Sequence, residues 1–400
     1  MKASAFAPLR NPDYFRLWAG QFVSVIGDKI NQIALAVLVY KTTGSMLQMG
    51  IMLGISALPA VLFGIFAGVF VDRWDRRRTM VYADILRAGL VVTIPLVIGY
   101  GVAWAYVLAF LVATVSLFFE PAKRSLIPDL VPRSDLMAAN SLDNASSAVA
   151  ELAGLACGGI LMAVLTARVA FTIDALTYVI SALAIFAIAH RGAGHPAGEA
   201  PPANLWREAG DGLRHTVATP VLRSLLLVYA IGAAAGGASL TILYALALRT
   251  FKAGAPGLAI LDASITAGIL VGSFLVARSG SGSVGVKFLW GLTAFAILLG
   301  ALAFASGLVV AAGLLVLTGI ANMWFFIPQQ SMIQTASSPA MRGRVIAVMA
   351  SLSRVLLVAG MVGAGALLEH MGTSQLFAAT GALVLVAALL GWSRRPLREA

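Results

Sequence analysis

The chain has 400 residues, of which 60% are hydrophobic and 11% are charged, and its formal net charge is +11. An ordinary soluble domain is roughly 45–50% apolar, so this composition indicates a membrane protein and sets aside the two or three soluble domains that length alone suggests. A single cysteine, Cys157, excludes a disulfide framework and a cysteine-based metal site, and the four histidines lack metal-ligand spacing. We therefore expect no metal and no cofactor.

Twelve apolar stretches follow one another along the chain, each long enough to cross a bilayer, which takes about 20 residues as a helix. The N-terminus lacks a cleavage site of the A-x-A kind before a mature domain, and the first stretch leads straight into further spans, so we interpret it as an uncleaved span and not as a signal peptide. The predicted spans cover residues 16–40, 46–71, 79–100, 103–125, 136–165, 168–189, 219–248, 256–277, 285–305, 307–333, 344–368 and 373–393. This pattern predicts an all-α membrane protein.

The longest polar segment, His190–Pro220, separates the sixth span from the seventh and is rich in Gly, Pro and charge. We expect a linker there with one short amphipathic helix around Trp206–His215. The predicted organisation is an N-terminal six-helix bundle over residues 1–190, a cytoplasmic linker over 191–218 and a C-terminal six-helix bundle over 219–400.

Lysine and arginine are distributed unequally between the two sides of the predicted spans. With both termini placed in the cytoplasm, 21 of the 28 basic residues fall on cytoplasmic segments, 4 on the opposite side and 3 within spans. Cytoplasmic loops of membrane proteins carry such an excess. The asymmetry predicts a multi-pass protein of the cytoplasmic (inner) membrane and explains the basic charge without nucleic acid.

The two halves carry matching landmarks. The segment FFEPAKRSLIPDLVP (118–132) closes span four and FFIPQQSMIQTASSP (325–339) closes span ten, and GVFVDR (68–73) has a counterpart in GSFLVAR (272–278). Two halves with the same landmarks predict a duplicated transporter fold with two pseudo-symmetric bundles, in which the ligand binds near the membrane midplane.

Ionisable residues inside spans are costly and therefore mark functional candidates. Asp28 lies about 18 Å into span one at 1.5 Å per residue, and helical spacing puts it on one face with Asn31 and Gln32, while Lys29 shares the side of Gln32. We expect this face to line the cavity or to contact the other half. An aspartate there can exchange protons or contact substrate; the competing interpretation is a structural carboxylate paired with Lys29 or another span.

Other intramembrane charges extend the set of candidates. Glu151, in mid-span five among apolar neighbours, is a second proton site candidate, and Arg354 of span eleven needs a carboxylate or an anionic ligand as its partner, for which Asp28 or Glu151 would serve. We expect Asp84 and Arg87 to join a charge network at the cytoplasmic end.

Two alternative roles are open for the aspartates of spans six and eight, and likewise for the aromatic residues of span ten. Asp174 and Asp262 are expected to be structural or to belong to an outer gate. Trp324 and Phe326 either line an apolar cavity or anchor span ten at the membrane interface.

The segment GVFVDRWDRRRTM (68–80) resembles motif A of the major facilitator superfamily. NPDYFRLWAGQFVSVIGD (11–28), TTGS (42–45), EPAKRSLIPDLVPRSDLMAANSL (120–142) and RGRV (342–345) are similar to the drug:proton antiporter branch that includes macrolide efflux and enterobactin export proteins. The resemblance covers nearly the whole chain. It implies a twelve-span, alternating-access secondary transporter.

The resemblance also implies a cytoplasmic gate built on motif A. Gly68 allows close helix approach, and Asp72 can meet a helix N-terminus or a partner arginine at the start of span eleven. For the arginines of the motif, charge topology alone is an adequate alternative explanation. The expected gate residues are Gly68, Asp72, Arg73, Arg76, Arg77, Arg342 and Arg344.

One departure from the branch leaves an alternative function open. In span five, Leu155 stands where antiporters carry a proline, although Gly154, Gly158 and Gly159 are kept. The chain also resembles bacterial lysophospholipid transporters through Gly27-Asp28 and the run Pro121-Ala122-Lys123. A lysophospholipid flippase is therefore the alternative to a drug exporter.

The expected function is proton-coupled efflux of amphipathic or hydrophobic small molecules of the drug, macrolide or siderophore type. The sequence contains no GxxxxGK[ST] loop, which excludes ATP as the energy source. No nucleophile–base pair and no attached soluble domain supports an enzyme. The expected partners are a small-molecule or lipid-like substrate, protons and the lipid bilayer, and the chain is expected to act as a monomer.

Overall fold

The computed structural model describes residues 6–71, 74–189, 205–280, 282–339 and 341–400, with the backbone alone at 65–70, 205–206 and 208–209. Twelve of its helices are long and apolar enough to cross a membrane. They are α1 (Pro12–Thr43), α2 (Met46–Val71), α3 (Arg76–Val97), α4 (Val102–Leu130), α5 (Leu136–Val164), α6 (Ala167–Phe186), α8 (Pro220–Ala245), α9 (Gly254–Arg278), α10 (Val284–Ala301), α11 (Leu308–Ala336), α12 (Arg342–Leu368) and α13 (Thr373–Ser393).

These helices confirm the twelve predicted spans and the all-α class. Between the sixth and seventh spans lies α7 (Leu205–Ala218), where the sequence predicts a short amphipathic helix, and a short helix, α14 (Arg395–Arg398), follows the last span. Large apolar side chains on the outside of the helices, such as Leu183 and Phe186 of α6, are about two-thirds exposed. Such a surface is compatible with lipid and not with water.

The helices of the two halves pack in the same pattern. In the first half α1 packs against α5 and α6, and α3 packs against α4 and α6. In the second half α8 packs against α12 and α13, and α10 packs against α11 and α13. Each contact of the first half therefore recurs between the corresponding helices of the second half, as expected of a duplicated fold.

Close packing of α5 on α1 depends on glycine. A Cβ added at Gly154 would lie 2.7 Å from the carbonyl oxygen of Ile26, and one at Gly158 would lie 3.2 Å from the Cα of Ile30. Small residues let membrane helices approach closely, where packing replaces the hydrophobic effect as the driving force. Gly154 and Gly158 are thus packing residues between α5 and α1, and this role does not depend on a proline at position 155.

The chain divides into two compact units, residues 1–43 with 55–200 and residues 44–54 with 201–400. Helix α2 contributes its first residues to the second unit, where a Cβ at Gly50 would lie 2.5 Å from the carbonyl oxygen of Met361 in α12. At the same end, the Glu369 carboxylate accepts hydrogen bonds from the Ser45 hydroxyl (2.7 Å) and the Leu47 N–H (3.0 Å). The assignment of 191–218 as a linker between two bundles stays a prediction.

Candidate functional site: a buried charge cluster in α1, α3 and α6

The site begins with a close contact between α1 and α6 at Gly27. A Cβ added there would lie 2.0 Å from Thr177 Oγ1 and 2.5 Å from Asp174 Oδ1, both on α6. Such distances are far below van der Waals contact, so only glycine allows the two helices to meet at this point. The next residue along α1, Asp28, is thereby brought against the same face of α6.

Asp28 and Asn31 both bond to side chains of α6. The Tyr178 hydroxyl donates a short hydrogen bond to the Asp28 carboxylate, and Asn31 Nδ2 donates to Asp174 Oδ2 at 2.6 Å. Asp174 and Tyr178 are fully buried. The hydrogen bonds of Asp28 and Asn31 thus run to span six of the same half, and the expectation that this face lines a cavity or contacts the other half stays a prediction.

Arg87 of α3 carries a buried positive charge into this site. It is 4% exposed and makes a short ion pair with Asp84, one turn earlier on the same helix, which is fully buried. Its guanidinium lies 4.4 Å from the ring centroid of Tyr178 and 4.6 Å from that of Phe119. Aromatic faces attract cations most strongly where water is excluded, so Arg87 is held against the residue that binds Asp28.

We call this group the charge cluster and define it as Asp28, Asp84, Arg87, Asp174 and Tyr178. It contains three carboxyl groups and one guanidinium. Isolated charges are expensive to bury and usually neutralise instead, and one arginine balances only one carboxylate. The arrangement is therefore suited to taking up and releasing protons inside the membrane.

One assignment made from the sequence changes here. Asp84 and Arg87 lie in the charge cluster and not in a separate network at the cytoplasmic end, because the face of α3 that carries them packs against α6. Asp174, expected to be structural or to belong to an outer gate, also lies in the charge cluster, where Asn31 bonds to it and the Thr177 hydroxyl lies 3.4 Å from its Oδ1.

The other predicted proton site is paired beside the charge cluster. Glu151 Oε1 lies 3.6 Å from Lys29 Nζ, and both side chains are partly exposed. This pair joins α5 to α1 and gives Lys29 a carboxylate other than Asp28. Gln32 is partly exposed on α1, and Arg354 is exposed on α12.

The structure describes only part of the predicted cytoplasmic gate. Asp72 and Arg73 lie outside the described residues, and Gly68 falls in a stretch of α2 described by its backbone alone. Arg76 bonds to Asp129 (2.6 Å) and to the carbonyl of Ser125 in α4, and Arg77 bonds to the carbonyls of Ile185 and Phe186. These two arginines thus connect α3 with α4 and with the end of α6, within the first half.

The two predicted gate arginines of α12 have contacts inside the second unit. Arg342 Nε donates to the carbonyl of Gln334 (3.1 Å), and Arg344 lies 3.6 Å from Asp211 of α7. A Cβ at Gly212 would lie 2.9 Å from the carbonyl oxygen of Arg344. The start of α12 therefore rests on the amphipathic helix α7.

The two aromatic residues predicted for a cavity differ in position. Phe326 lines a pocket inside the second unit, together with Phe325. Trp324 does not line this pocket; a Cβ at Gly291 would lie 2.4 Å from its backbone carbonyl carbon. Within the part of the chain that the structure describes, His, Cys, Asp and Glu form no group of three suited to a metal ion.

Sequence reasoning identified Asp28 but missed its partners. Tyr178 looks like an ordinary aromatic residue of an apolar span, and nothing local shows that it meets span one. One signal was available: Asp84 and Arg87 are three residues apart in an otherwise uncharged span, a spacing that places both on one helix face. Charges placed in this way inside a membrane span face protein and not lipid.

Known proteins resemble this chain in sequence and in fold. The sequence model of a family described as transmembrane secretion effector matches residues 3–400. Macrolide efflux protein A of Streptococcus pyogenes is 25% identical over 387 residues, covering 94% of each chain. Multidrug efflux pump Tap of Mycobacterium bovis is 29% identical over 428 aligned residues, covering 98% of this chain and 95% of the pump.

Solved transporter structures share the fold. The nucleoside transporter NupG superposes with a TM-score of 0.78 at 12% identity, covering 96% of this chain and 98% of NupG. A bacterial homologue of the human lysosomal transporter Spinster, in an inward-facing and occupied conformation, gives a TM-score of 0.69 at 17% identity and covers 96% of each chain. At these identities the likeness concerns the fold alone.

Proposed function

Since the chain belongs to the transmembrane secretion effector family of the major facilitator superfamily, we propose that it exports amphipathic or hydrophobic drugs, macrolides among them, in exchange for protons. The family membership agrees with the resemblance seen in the sequence, and both curated relatives described above are efflux proteins. We place the protein in the inner membrane with both termini in the cytoplasm, because the basic residues are concentrated on one side, and we propose separately that it acts as a monomer.

The observation that carries proton coupling is the composition of the charge cluster. Asp28 is bound by Tyr178, and Arg87 lies over the ring of the same tyrosine. With Asp28 ionised, the cluster attracts Arg87 and holds α1, α3 and α6 together. A proton on Asp28 removes a negative charge, weakens the hydrogen bond from Tyr178 and loosens the contact between α1 and α6.

Proton entry then drives the cycle of alternating access. Uptake of a proton at Asp28 from the outside favours the rearrangement of the helices that admits substrate from the cytoplasm. Release of the proton to the cytoplasm restores the ionised cluster and favours the return. Asp84 stays paired with Arg87 throughout and keeps its charge balanced.

The experiment uses the purified full chain in liposomes with an imposed pH gradient. A macrolide, a cationic dye, a catecholate siderophore and a fluorescent lysophospholipid are offered, to the native chain and to Asp28→Asn. Asp135→Asn serves as the control, since this aspartate lies in a short 3₁₀ turn between α4 and α5, away from the charge cluster.

We expect gradient-driven movement of the drug, loss of the coupling in Asp28→Asn and no effect of Asp135→Asn. Full coupling in Asp28→Asn would remove the central step of the proposal. Lysophospholipid movement that ignores the gradient, with no movement of drugs, would favour the flippase instead.

A further inference from the structure

The pocket lined by Phe325 and Phe326 is a cavity of about 230 Å³ inside the second unit, where α8, α10, α11 and α12 face one another. Its lining is apolar and aromatic with a few amide and hydroxyl groups, and none of the described residues that form it is charged. An engineered protein cavity of about 150 Å³ holds one benzene molecule. This pocket is therefore large enough for a group of one or two fused rings.

Two glycines of α8 leave the space open. Gly232 and Gly236 stand one turn apart and both line the pocket. A Cβ added at either would meet no other atom within 4 Å, whereas one added at Gly237 would lie 1.9 Å from the carbonyl oxygen of Leu357 in α12. Gly237 is therefore required by helix packing, and Gly232 and Gly236 are not; what their missing side chains provide is volume.

One face of α11 forms the opposite wall. Asn322, Phe325, Phe326 and Gln329 follow at i, i+3, i+4 and i+7, the spacing of one helix face. Gln329 is 1% exposed, and its Nε2 has no hydrogen-bond partner among the described residues. A buried donor without a partner is costly, and an acceptor atom on a ligand in the pocket would satisfy it.

We propose that this pocket binds an uncharged one- or two-ring aromatic group that carries a hydrogen-bond acceptor such as a carbonyl oxygen. The rings of Phe325 and Phe326 contact the ligand ring, and Gln329 Nε2 donates to the acceptor. The proposal rests on the proposed function in one respect: we take this group to be part of an exported drug. It adds a chemical class of substrate and the residues that select it.

The test measures binding of a matched pair of ligands to the full chain in lipid nanodiscs. 2-Acetylnaphthalene has the ring and the acceptor, and 2-ethylnaphthalene has the ring alone. Equilibrium dialysis against empty nanodiscs of the same lipid subtracts partitioning into the bilayer. Three variants are compared with the native chain: Gly232→Leu, which fills the pocket, Gln329→Leu, which removes the donor, and Gly89→Leu as a control.

Gly89 suits the control because it too has no atom within 4 Å of an added Cβ, but lies on the exposed face of α3 in the first unit. We expect saturable binding of both ligands to the native chain. The affinity for both should fall by tenfold or more in Gly232→Leu and stay unchanged in Gly89→Leu. Gln329→Leu should lower the affinity for 2-acetylnaphthalene by about three- to tenfold, which corresponds to one hydrogen bond, and leave the affinity for 2-ethylnaphthalene unchanged.

Three results would overturn the proposal: no saturable binding, binding that survives Gly232→Leu, or an equal loss of both ligands in Gln329→Leu. The last result would mean that Gln329 acts through structure alone. If Gly232→Leu fails to fold, Gly232→Ala replaces it and is expected to lower affinity for both ligands, while Gln329→Leu tests the donor independently.

The two proposals fail in different ways. If gradient-driven export of a macrolide is observed and neither naphthalene binds saturably, the pocket assignment falls and the proposed function stands. If the naphthalenes bind with the expected sensitivity to Gly232→Leu and no drug is exported, the proposed function falls and the pocket stands.

Discussion

Replacement of Gly27 by alanine tests whether the contact between α1 and α6 builds the charge cluster. The added Cβ would lie 2.0 Å from Thr177 Oγ1 and 2.5 Å from Asp174 Oδ1. Neither atom can move aside easily, because Thr177 donates to the carbonyl of Asp174 at 2.7 Å and Asp174 is fully buried. The helices must separate, and the hydrogen bonds of Asp28 and Asn31 to α6 are then lost.

The expected cost combines two effects. Overpacking of a tightly packed core costs about 1–3 kcal/mol, and each hydrogen bond between membrane helices contributes about 0.6–1.7 kcal/mol. With two such bonds lost, the free energy of unfolding should fall by about 2–6 kcal/mol. A unit of this size loses roughly 2–4 °C per kcal/mol, so the unfolding temperature should drop by roughly 4 °C or more.

The assay follows thermal unfolding of the purified protein and proton-driven drug export by the same preparations. Gly89→Ala is the matched control, since its Cβ meets nothing within 4 Å, Gly89 is exposed on α3 and the substitution should leave stability equal or slightly higher. A second change, Thr177→Ala, removes the nearest clashing atom and should restore part of the stability lost in Gly27→Ala. Native stability and export in Gly27→Ala would refute the reasoning.

Three further predictions follow from single contacts. Tyr178→Phe removes the hydroxyl that donates to the Asp28 carboxylate, so the pH–rate profile of export should shift relative to that of the native chain; an unshifted profile counts against Asp28 as the titrating group. Asp75→Ala removes the carboxylate that accepts from the Arg78 N–H (2.8 Å) at the start of α3 and should cost about 0.5–2 kcal/mol of stability, whereas Asp75→Asn, which keeps the cap, should be close to native. The Leu47 N–H and the Ser45 hydroxyl hold the pKa of Glu369 below its ordinary value of 4.5. Their contact with the carboxylate is therefore intact above pH 4.5 and weakens as the pH falls through the lowered pKa. Hydrogen exchange at the Leu47 N–H should show this pH dependence in the native chain and not in Glu369→Gln; equal protection in both at every pH would show that the carboxylate charge is unimportant.

The architecture was predictable because it follows from properties that each segment carries by itself. A span of about 20 apolar residues must form a helix in lipid, since its backbone groups have no other hydrogen-bond partners there. Residues 46–71 were predicted for the second span, and α2 is Met46–Val71, whereas the third span was predicted from residue 79 and α3 begins at Arg76. Family membership was also predictable, because the motif around Gly68 and the landmarks after span four are local patterns.

The partners of the site residues were not predictable in the same way. Which helices Asp28 meets depends on how α1 is rotated in the bundle, and in the observed rotation only a glycine fits at position 27, opposite Thr177. The sequence shows the glycine but not the threonine opposite it. For the same reason Arg87 was assigned to the cytoplasmic end of its span, although packing of α3 on α6 brings it to Tyr178.

The duplicated fold carries different chemistry in its two halves. Helices α1, α3 and α6 enclose the charge cluster, whereas the corresponding helices α8, α10 and α13 contain no acidic residue and have Arg223 and Lys287 only in their first turn. Where the first half places ionisable groups between helices, the second half has glycines and the apolar pocket beside Gln329. The two proposals made above therefore locate proton coupling in the first half and substrate selection in the second. Substitutions in the first half should then change the pH dependence of export for every substrate. Substitutions in the second half should change which substrates are exported and leave the pH dependence of export unchanged.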